Sequence, residues 1–151
     1  MPTEIEIAPV SPGEYEELQP LIAAYQRFYH VEEIDEERNR AFFRRFLAPS
    51  DHGMLLGARA GGPLLGYACL YWHFSSLAAA ETVLMNDLYV DEPARGRGVG
   101  RALIEATADV ARQRGALCVE WATEPDNHGA QRLYDATGAE RTEWIVYELG
   151  L

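Results

Sequence analysis

The sequence predicts an α/β fold (α+β, with a mixed sheet), and three observations carry that prediction. Two apolar runs, Met54–Ala60 and Leu64–Phe74, flank Gly61-Gly62-Pro63 as the arms of a hairpin. Two strand–helix–strand units follow them. Between the first such strand and its helix lies Arg95-Gly96-Arg97-Gly98-Val99-Gly100, a glycine-rich turn.

The elements follow in order. Glu4 to Ala8 alternates, with Ile5 and Ile7 on one side, as a strand does. Ser11-Pro12-Gly13-Glu14 has the form of a capping box with proline at the first helical position. Tyr15, Leu18, Ile22, Tyr25 and Phe28/Tyr29 then recur at helical spacing, and Pro20 is expected to kink this helix. A second helix is expected over Asp35–Leu47, burying Phe42, Phe43, Phe46 and Leu47 and stopped by Pro49. After the hairpin, Thr82–Val90 reads as a central strand, Val99–Arg114 as an amphipathic helix ended by Gly115, and Leu117–Ala122 as a buried strand. Asn127–Thr137 is a short helix closed by Gly138, and Glu143–Leu149 alternates as a last strand. The expected order is β-α-α-β-β-β-α-β-α-β, without repeats or an internal boundary, so residues 1–151 read as a single domain.

Charge and composition narrow the function. The 151 residues carry 13 basic and 24 acidic side chains, a formal net charge of −11. An acidic surface argues against nucleic acid or an anionic membrane as partner and favours a cationic ligand. Every Lys/Arg position is arginine. A Walker-type phosphate loop and a Schiff-base lysine are therefore excluded. No apolar run approaches the ~20 residues of a membrane span, and Met1–Glu6 lacks the features of a secretory leader. Cys69 and Cys118 lie in apolar runs, as buried free thiols do, and cytoplasmic residence is expected. His30, His52, His73 and His128 show no metal-ligand spacing, and no metal is expected.

The glycine turn is the candidate for chemistry. A strand running into glycines and then a helix start exposes backbone N–H groups at the positive end of the helix dipole, which suits an anion, most often phosphate. Arg95, Arg97 and Arg101 add charge around it. A solvated glycine turn remains the plainer alternative. A dinucleotide fingerprint fits worse, because Arg101 stands where its third glycine belongs. The run Glu32, Glu33, Asp35, Glu36, Glu37 is either a solvated face or one wall of a site for a cation, with Tyr25, Phe28 and Tyr29 beside it. His73 and Trp72, on one strand, read first as packed residues.

Arg95-x-x-Gly98-x-Gly100, the preceding Asn86-Asp87-Leu88-Tyr89-Val90, and the later Asn127-x-x-Ala130-x-x-x-Tyr134-x-x-x-Gly138 stand in fixed order. Together they resemble the GCN5-related N-acetyltransferase (GNAT) superfamily, nearest its polyamine, thialysine and histone-type branch. The resemblance covers Thr82–Leu149 well and the N-terminal third more weakly. It implies the acyl-CoA N-acyltransferase fold and transfer of acetyl from acetyl-CoA to an amine by direct attack in a ternary complex. Cofactor contacts then fall to Leu88, Tyr89, Val90, Arg95, Gly96, Arg97, Gly98, Val99, Gly100, Arg101, Asn127, Ala130 and Tyr134. Tyr134 matches the acid that protonates the leaving thiolate, and the Leu88 N–H the oxyanion donor.

Asp87 is the candidate base or amine anchor, with Glu120 and Glu33 further off. Tyr29, Glu33, Trp72, Asn86, Asp87 and Trp121 are candidate acceptor contacts. Asn86 departs from the pattern, standing where many relatives carry an acid. A small cationic acceptor, polyamine-like or amino-acid-derived, fits the charge best, and the branch implies a homodimer, sometimes with exchanged C-terminal strands. A silent acyl-CoA sensor is the rival from another class, against which Asn127 and Tyr134 count; a resistance-type enzyme shares every motif, and a protein-lysine acetyltransferase is a further alternative.

Overall fold

The computed structural model describes residues 3–151; Met1 and Pro2, the start of the stretch read against a leader, lie outside the described residues. Five strands form one sheet in sequence order: β1 (Glu6–Pro9), β2 (Gly53–Arg59), β3 (Leu64–Ser75), β4 (Ala80–Val90) and β5 (Val119–Glu120). The first four are antiparallel, and β5 runs parallel to β4. Such a mixed sheet follows from the connections. A tight turn joins β2 to β3, whereas the return from β4 to β5 takes a helix.

Four helices cover the two faces. Helix α1 (Tyr15–Phe28) follows a short 3-10 turn at Pro12–Glu14, and α2 (Glu36–Phe43) lies beside it. Glu14 does reach back to Ser11, accepting from its backbone N–H at 3.1 Å. Pro20 sits inside α1, which runs through it as one element. On this face Leu18, Ile22, Phe43, Phe46, Tyr67 and Cys69 form one buried cluster. Helix α3 (Val99–Gln113) covers the opposite face, where Leu70, Val83, Met85, Val99 and Leu103 pack. Gly115 takes a left-handed φ of 72° after it, as a helix-ending glycine should. Helix α4 (His128–Asp135) follows β5.

Two local features set up everything that follows. First, the β3–β4 register slips at one point: Cys69 faces Asp87 while Leu70 faces Met85, so Asn86 is one residue too many. A bulge of this kind inverts the side-chain alternation beyond it. Val83 and Met85 face α3, but Asp87 joins Tyr67 and Cys69 on the α1–α2 face. Second, β4 and β5 pair only at Val83↔Val119 and Leu84↔Glu120. Beyond that point β4 continues for six residues without a partner on that side, and the two strands part.

Four expectations need correction. The strand read over Leu117–Ala122 is only two residues long, with Leu117 and Cys118 exposed, because the chain leaves the sheet as soon as β4 and β5 diverge. Cys69 is the buried thiol; Cys118 is not. Phe42 is 37% exposed at the edge of α2, since that helix ends at Phe43 and a 3-10 turn carries Phe46 inward instead. Glu143–Leu149 forms no strand, and Trp144, Ile145, Val146, Tyr147 and Leu149 are each 79–89% exposed. An alternating sequence needs a sheet edge to pair with, and within the chain this segment finds none.

Candidate acetyl-transfer site

The glycine turn is anchored to the end of β4 and open toward solvent. Gly96 and Gly98 both adopt left-handed φ values, 77° and 85°, and a Cβ on either would meet nothing within 4 Å. Gly98 is the N-cap of α3 and offers no capping side chain. The first helical bond is Ala102 N–H to the Gly98 carbonyl at 3.0 Å, so the N–H groups of Val99, Gly100 and Arg101 have no partner within the helix. A row of free amides at a helix N-terminus is a place for an anion. The arginines contribute less charge than their number suggests. Arg95 turns back to donate to the Val90 carbonyl (2.9 Å) and lies over the Tyr89 ring, and Arg101 pairs with Glu105 at 3.1 Å. Arg97 is exposed.

Behind the turn lies the gap between β4 and β5. The Asp91 N–H bonds to the Leu65 carbonyl, so the alternation of an antiparallel ladder directs Asp87 and Tyr89 toward β3. Leu88 and Val90 then point their backbone groups the other way, into the side that β5 has left; Arg95 finds the Val90 carbonyl there. The far wall of the gap belongs to α4. A Cβ on Gly100 would lie 3.1 Å from Leu133 and 3.7 Å from Val90, which measures how tightly α3, α4 and the end of β4 converge. Asn127 caps α4, its Oδ1 accepting from the Ala130 N–H at 3.2 Å, which leaves its Nδ2 as a donor. Tyr134 lies edge-on to Trp121, centroids 5.4 Å apart. Burial, and then the nearby Tyr29, raise the Tyr134 phenol above its ordinary value, so it keeps its proton at neutral pH.

On the opposite face the bulge presents Asp87 to a cavity of about 310 Å³ between α1, α2, β3 and β4. Its walls include Tyr25, Phe42, Phe43 and Tyr71, with Asn86 and Asp87 at one side and Arg38 on α2. Asp87 is only 4% exposed. Burial pushes its carboxyl up to about 6, while donors from Asn86 Nδ2 (2.8 Å) and the Tyr67 hydroxyl (3.3 Å) pull the other way. Tyr25 reaches the Asn86 carbonyl at 3.4 Å and packs against Tyr29, with ring centroids 5.0 Å apart. Tyr25, Tyr67, Cys69 and Tyr71, which face Asp87 from α1 and β3, are all raised by burial and by its charge, and so remain neutral beside it. Gln26 and Asn39 exchange two hydrogen bonds (2.9 and 2.8 Å) that tie α2 to α1 across this cavity.

The profile of the acetyltransferase (GNAT) family matches residues 18–139. The chain belongs to that family. The D-amino-acid N-acetyltransferase HPA3 of Saccharomyces cerevisiae is 35% identical over 146 residues, covering 95% of this chain and 89% of its own. The thialysine N-epsilon-acetyltransferase of Mus musculus is 29% identical over 126 residues, covering 79% and 72%. A crystal structure of a probable acetyltransferase superposes with a TM-score of 0.83 at 30% identity, covering 98% of this chain and 97% of that one. The protein is an acetyl-CoA-dependent N-acetyltransferase.

Of the residues singled out from sequence, the structure gathers two groups. Leu88 to Val90, the turn from Arg95 to Arg101, Asn127, Ala130 and Tyr134 surround the β4–β5 gap. Asn86 and Asp87 line the cavity, with Tyr29 beside Tyr25 at its edge. Three residues fall elsewhere. Trp72 faces α3, where Arg114 stacks over its ring at 3.8 Å, because alternation along β3 places it with Leu70 rather than Tyr71. Glu33 is exposed and contributes its carbonyl, which holds Arg38 at 3.1 Å. Trp121 supports Tyr134 and does not reach the cavity. Sequence reasoning missed Arg38, Asn39, Tyr67 and Tyr71; for the tyrosines the signal was present, since Tyr67, Cys69 and Tyr71 alternate on the face opposite Ala68, Leu70 and Trp72. Among the described residues no helix is long and apolar enough to cross a membrane, and no cluster of metal-ligating side chains occurs.

The raised Asp87 carries a stability cost of known sign. Its folded value lies above the ordinary 3.8, so its contribution is fully favourable below that pH and is lost as pH rises through about 6. The full loss is on the order of 3 kcal/mol. Asp87→Asn does not ionise; its one amide oxygen can still accept from Asn86, and its Nδ2 can donate to the Tyr67 hydroxyl oxygen. Urea unfolding at pH 5 and pH 7.5 is expected to show the variant gaining on the wild type as pH rises. A gap that does not widen would mean that Asp87 ionises without hindrance.

Proposed function

We propose that this protein acetylates the primary amine of a small cationic acceptor, polyamine-like or amino-acid-derived, by direct attack within a ternary complex. One observation carries the reading. A buried carboxylate raised to about 6 lies on β4 beside the very residues whose free backbone faces the β4–β5 gap. The acceptor enters from the α1–α2 cavity and the cosubstrate from the gap. The name of the relative HPA3 supports an amino-acid acceptor, and that of the thialysine enzyme a side-chain amine.

The free amides of the glycine turn, the open space at Gly96 and Gly98 and the unpaired edge of β4 fit acetyl-CoA. That cosubstrate supplies an acetyl thioester. The amides from Arg95 to Arg101 hold its pyrophosphate, and the β4 edge from Leu88 to Val90, with Asn127 Nδ2 across the gap, lines its pantetheine arm. An amine of pKa ~10.4 is more than about 99.9% protonated at pH 7, so its proton must leave before attack. Asp87, ionised at neutral pH yet more basic than an exposed aspartate, anchors the ammonium and takes that proton. The amine nitrogen then bonds to the thioester carbonyl carbon while the Leu88 N–H donates to the carbonyl oxygen as charge develops there. As the carbon–sulfur bond breaks, Tyr134 gives its phenolic proton to the departing thiolate, and the second proton that the attacking nitrogen sheds leaves through solvent, which returns the phenol to its neutral form.

We further propose that the active form is a homodimer in which the segment 139–151 of each copy adds to the sheet of the other. Its support is the exposed alternating run from Trp144 to Leu149 and the nearly unpaired outer edge at β5. The two free cysteines suit a reducing compartment such as the cytoplasm.

Release of free thiol from acetyl-CoA across a panel of amines tests the reaction. Wild type is expected to turn over, and Tyr134→Phe to lower kcat by roughly 10²- to 10⁴-fold with little change in acetyl-CoA affinity. Equal kcat in the two would remove Tyr134 from the mechanism, and no release with any amine would favour the sensor reading. Gly98→Asp forces a side chain onto a backbone at φ 85° and a negative charge into the cradle. Calorimetry is expected to show acetyl-CoA bound at least about tenfold more weakly; unchanged affinity would move the pyrophosphate elsewhere. Truncation after Glu140 is expected to convert a dimer to a monomer in sedimentation experiments, and an unchanged mass would dismiss strand exchange.

A further inference from the structure

The acceptor cavity is not uniformly acidic. Alongside Asp87 and the aromatic walls it is lined by one cationic side chain, Arg38. Arg38 sits in the first turn of α2, where its backbone N–H donates to the capping Asp35 at 3.0 Å. Its Nη2 donates to the Glu33 carbonyl at 3.1 Å, a neutral acceptor that positions the guanidinium without cancelling its charge. No ion pair among the described residues engages it, whereas Arg40, on the same helix, is committed to Glu16 at 2.9 Å. An unneutralised guanidinium against a strongly acidic chain is a fork of donors that matches a carboxylate. The Gln26–Asn39 amide pair fixes the adjoining residue of α2 to α1, so Arg38 stands at a set place on the cavity wall.

We propose that Arg38 binds the carboxylate of the acceptor while Asp87 binds its ammonium, so that the substrate class is free amino acids and not polyamines. The proposal rests on the acetyltransferase reading above and narrows its acceptor. A polyamine would carry a second cation, which this cavity meets with a guanidinium of like charge. An amino acid presents opposite charges that match the two groups. About 310 Å³ lies at the small end of ligand sites, which span roughly 300–1,000 Å³, and suits a single amino acid better than an aminoglycoside. Arg38 is thus a specificity-determining residue that takes no part in the proton transfers.

Matched acceptors test this: an amino acid, its amide, the decarboxylated amine, and spermidine, each assayed by thiol release with the full-length protein. Wild type is expected to favour the amino acid over both carboxylate-free partners by at least about tenfold in kcat/KM. Arg38→Gln, an exposed substitution whose folding is checked by its Tm, is expected to raise KM for the amino acid on the order of 10- to 100-fold, with kcat changing less. Its preference ratio should fall toward one, and Arg38→Lys should restore part of it. Spermidine preferred by the wild type, or a ratio unaltered by Arg38→Gln, overturns the proposal while leaving the acetyltransferase intact. Thiol release with none of the acceptors would overturn both. Amino-acid-induced shifts in Tm, present in the wild type and absent in Arg38→Gln, separate recognition from turnover.

Discussion

One surplus residue in β4 governs how the two halves of the site meet. With strict alternation, Asp87 would point with Val83 and Met85 into the apolar packing under α3, where a carboxylate has no partner. The bulge at Asn86 turns it to the other face, where Tyr67 and Asn86 donate to it and where it lines a cavity with Tyr25. The same slip leaves the β4 backbone in phase with β3 beyond it, so that Leu88 faces the open side of the sheet. Asp87 and the Leu88 backbone, adjacent in the chain, thereby look out on opposite sides of the sheet.

That arrangement is costly, and its cost is informative. Burying Asp87 raises it to about 6, which weakens the folded state at neutral pH and strengthens the group as a base. The phenols around it stay protonated, since burial and the carboxylate's charge both raise them. Tyr134, across the gap from β4, is likewise raised by burial and keeps its proton. Burial thus raises a carboxylate on one side of β4 and a phenol across the gap on the other, and on the proposed mechanism these are the base and the acid.

Much of the fold could be read from residues alone. The hairpin around Gly61–Pro63, the β4–turn–α3 unit, the capping box of the turn before α1 and the cap of α4 depend on neighbours in sequence, so local chemistry predicts them. The glycine turn was legible for the same reason: left-handed φ at Gly96 and Gly98 is a property of the residue type. Trp72 was misplaced because its face depends on the register of β3 against α3, and Arg38 was invisible because nothing near it in sequence shows that α2 folds over β4. Glu143–Leu149 has the alternation of a strand, yet a strand exists only as a pair, and its partner edge is not supplied within this chain.

The sequence by itself determined the order of elements as far as α4, the glycine turn that opens α3, the absence of lysine and, through short motifs in fixed order from Asn86 to Gly138, the likeness to the acetyltransferases, because each is written in residue types and local spacing. Only the tertiary structure decided which face Asp87 occupies, where β4 and β5 part, and that Arg38 shares a cavity with Asp87. Those three facts depend on the register between distant segments. A single surplus residue such as Asn86 changes that register while the apolar run and the flanking motifs stay recognisable.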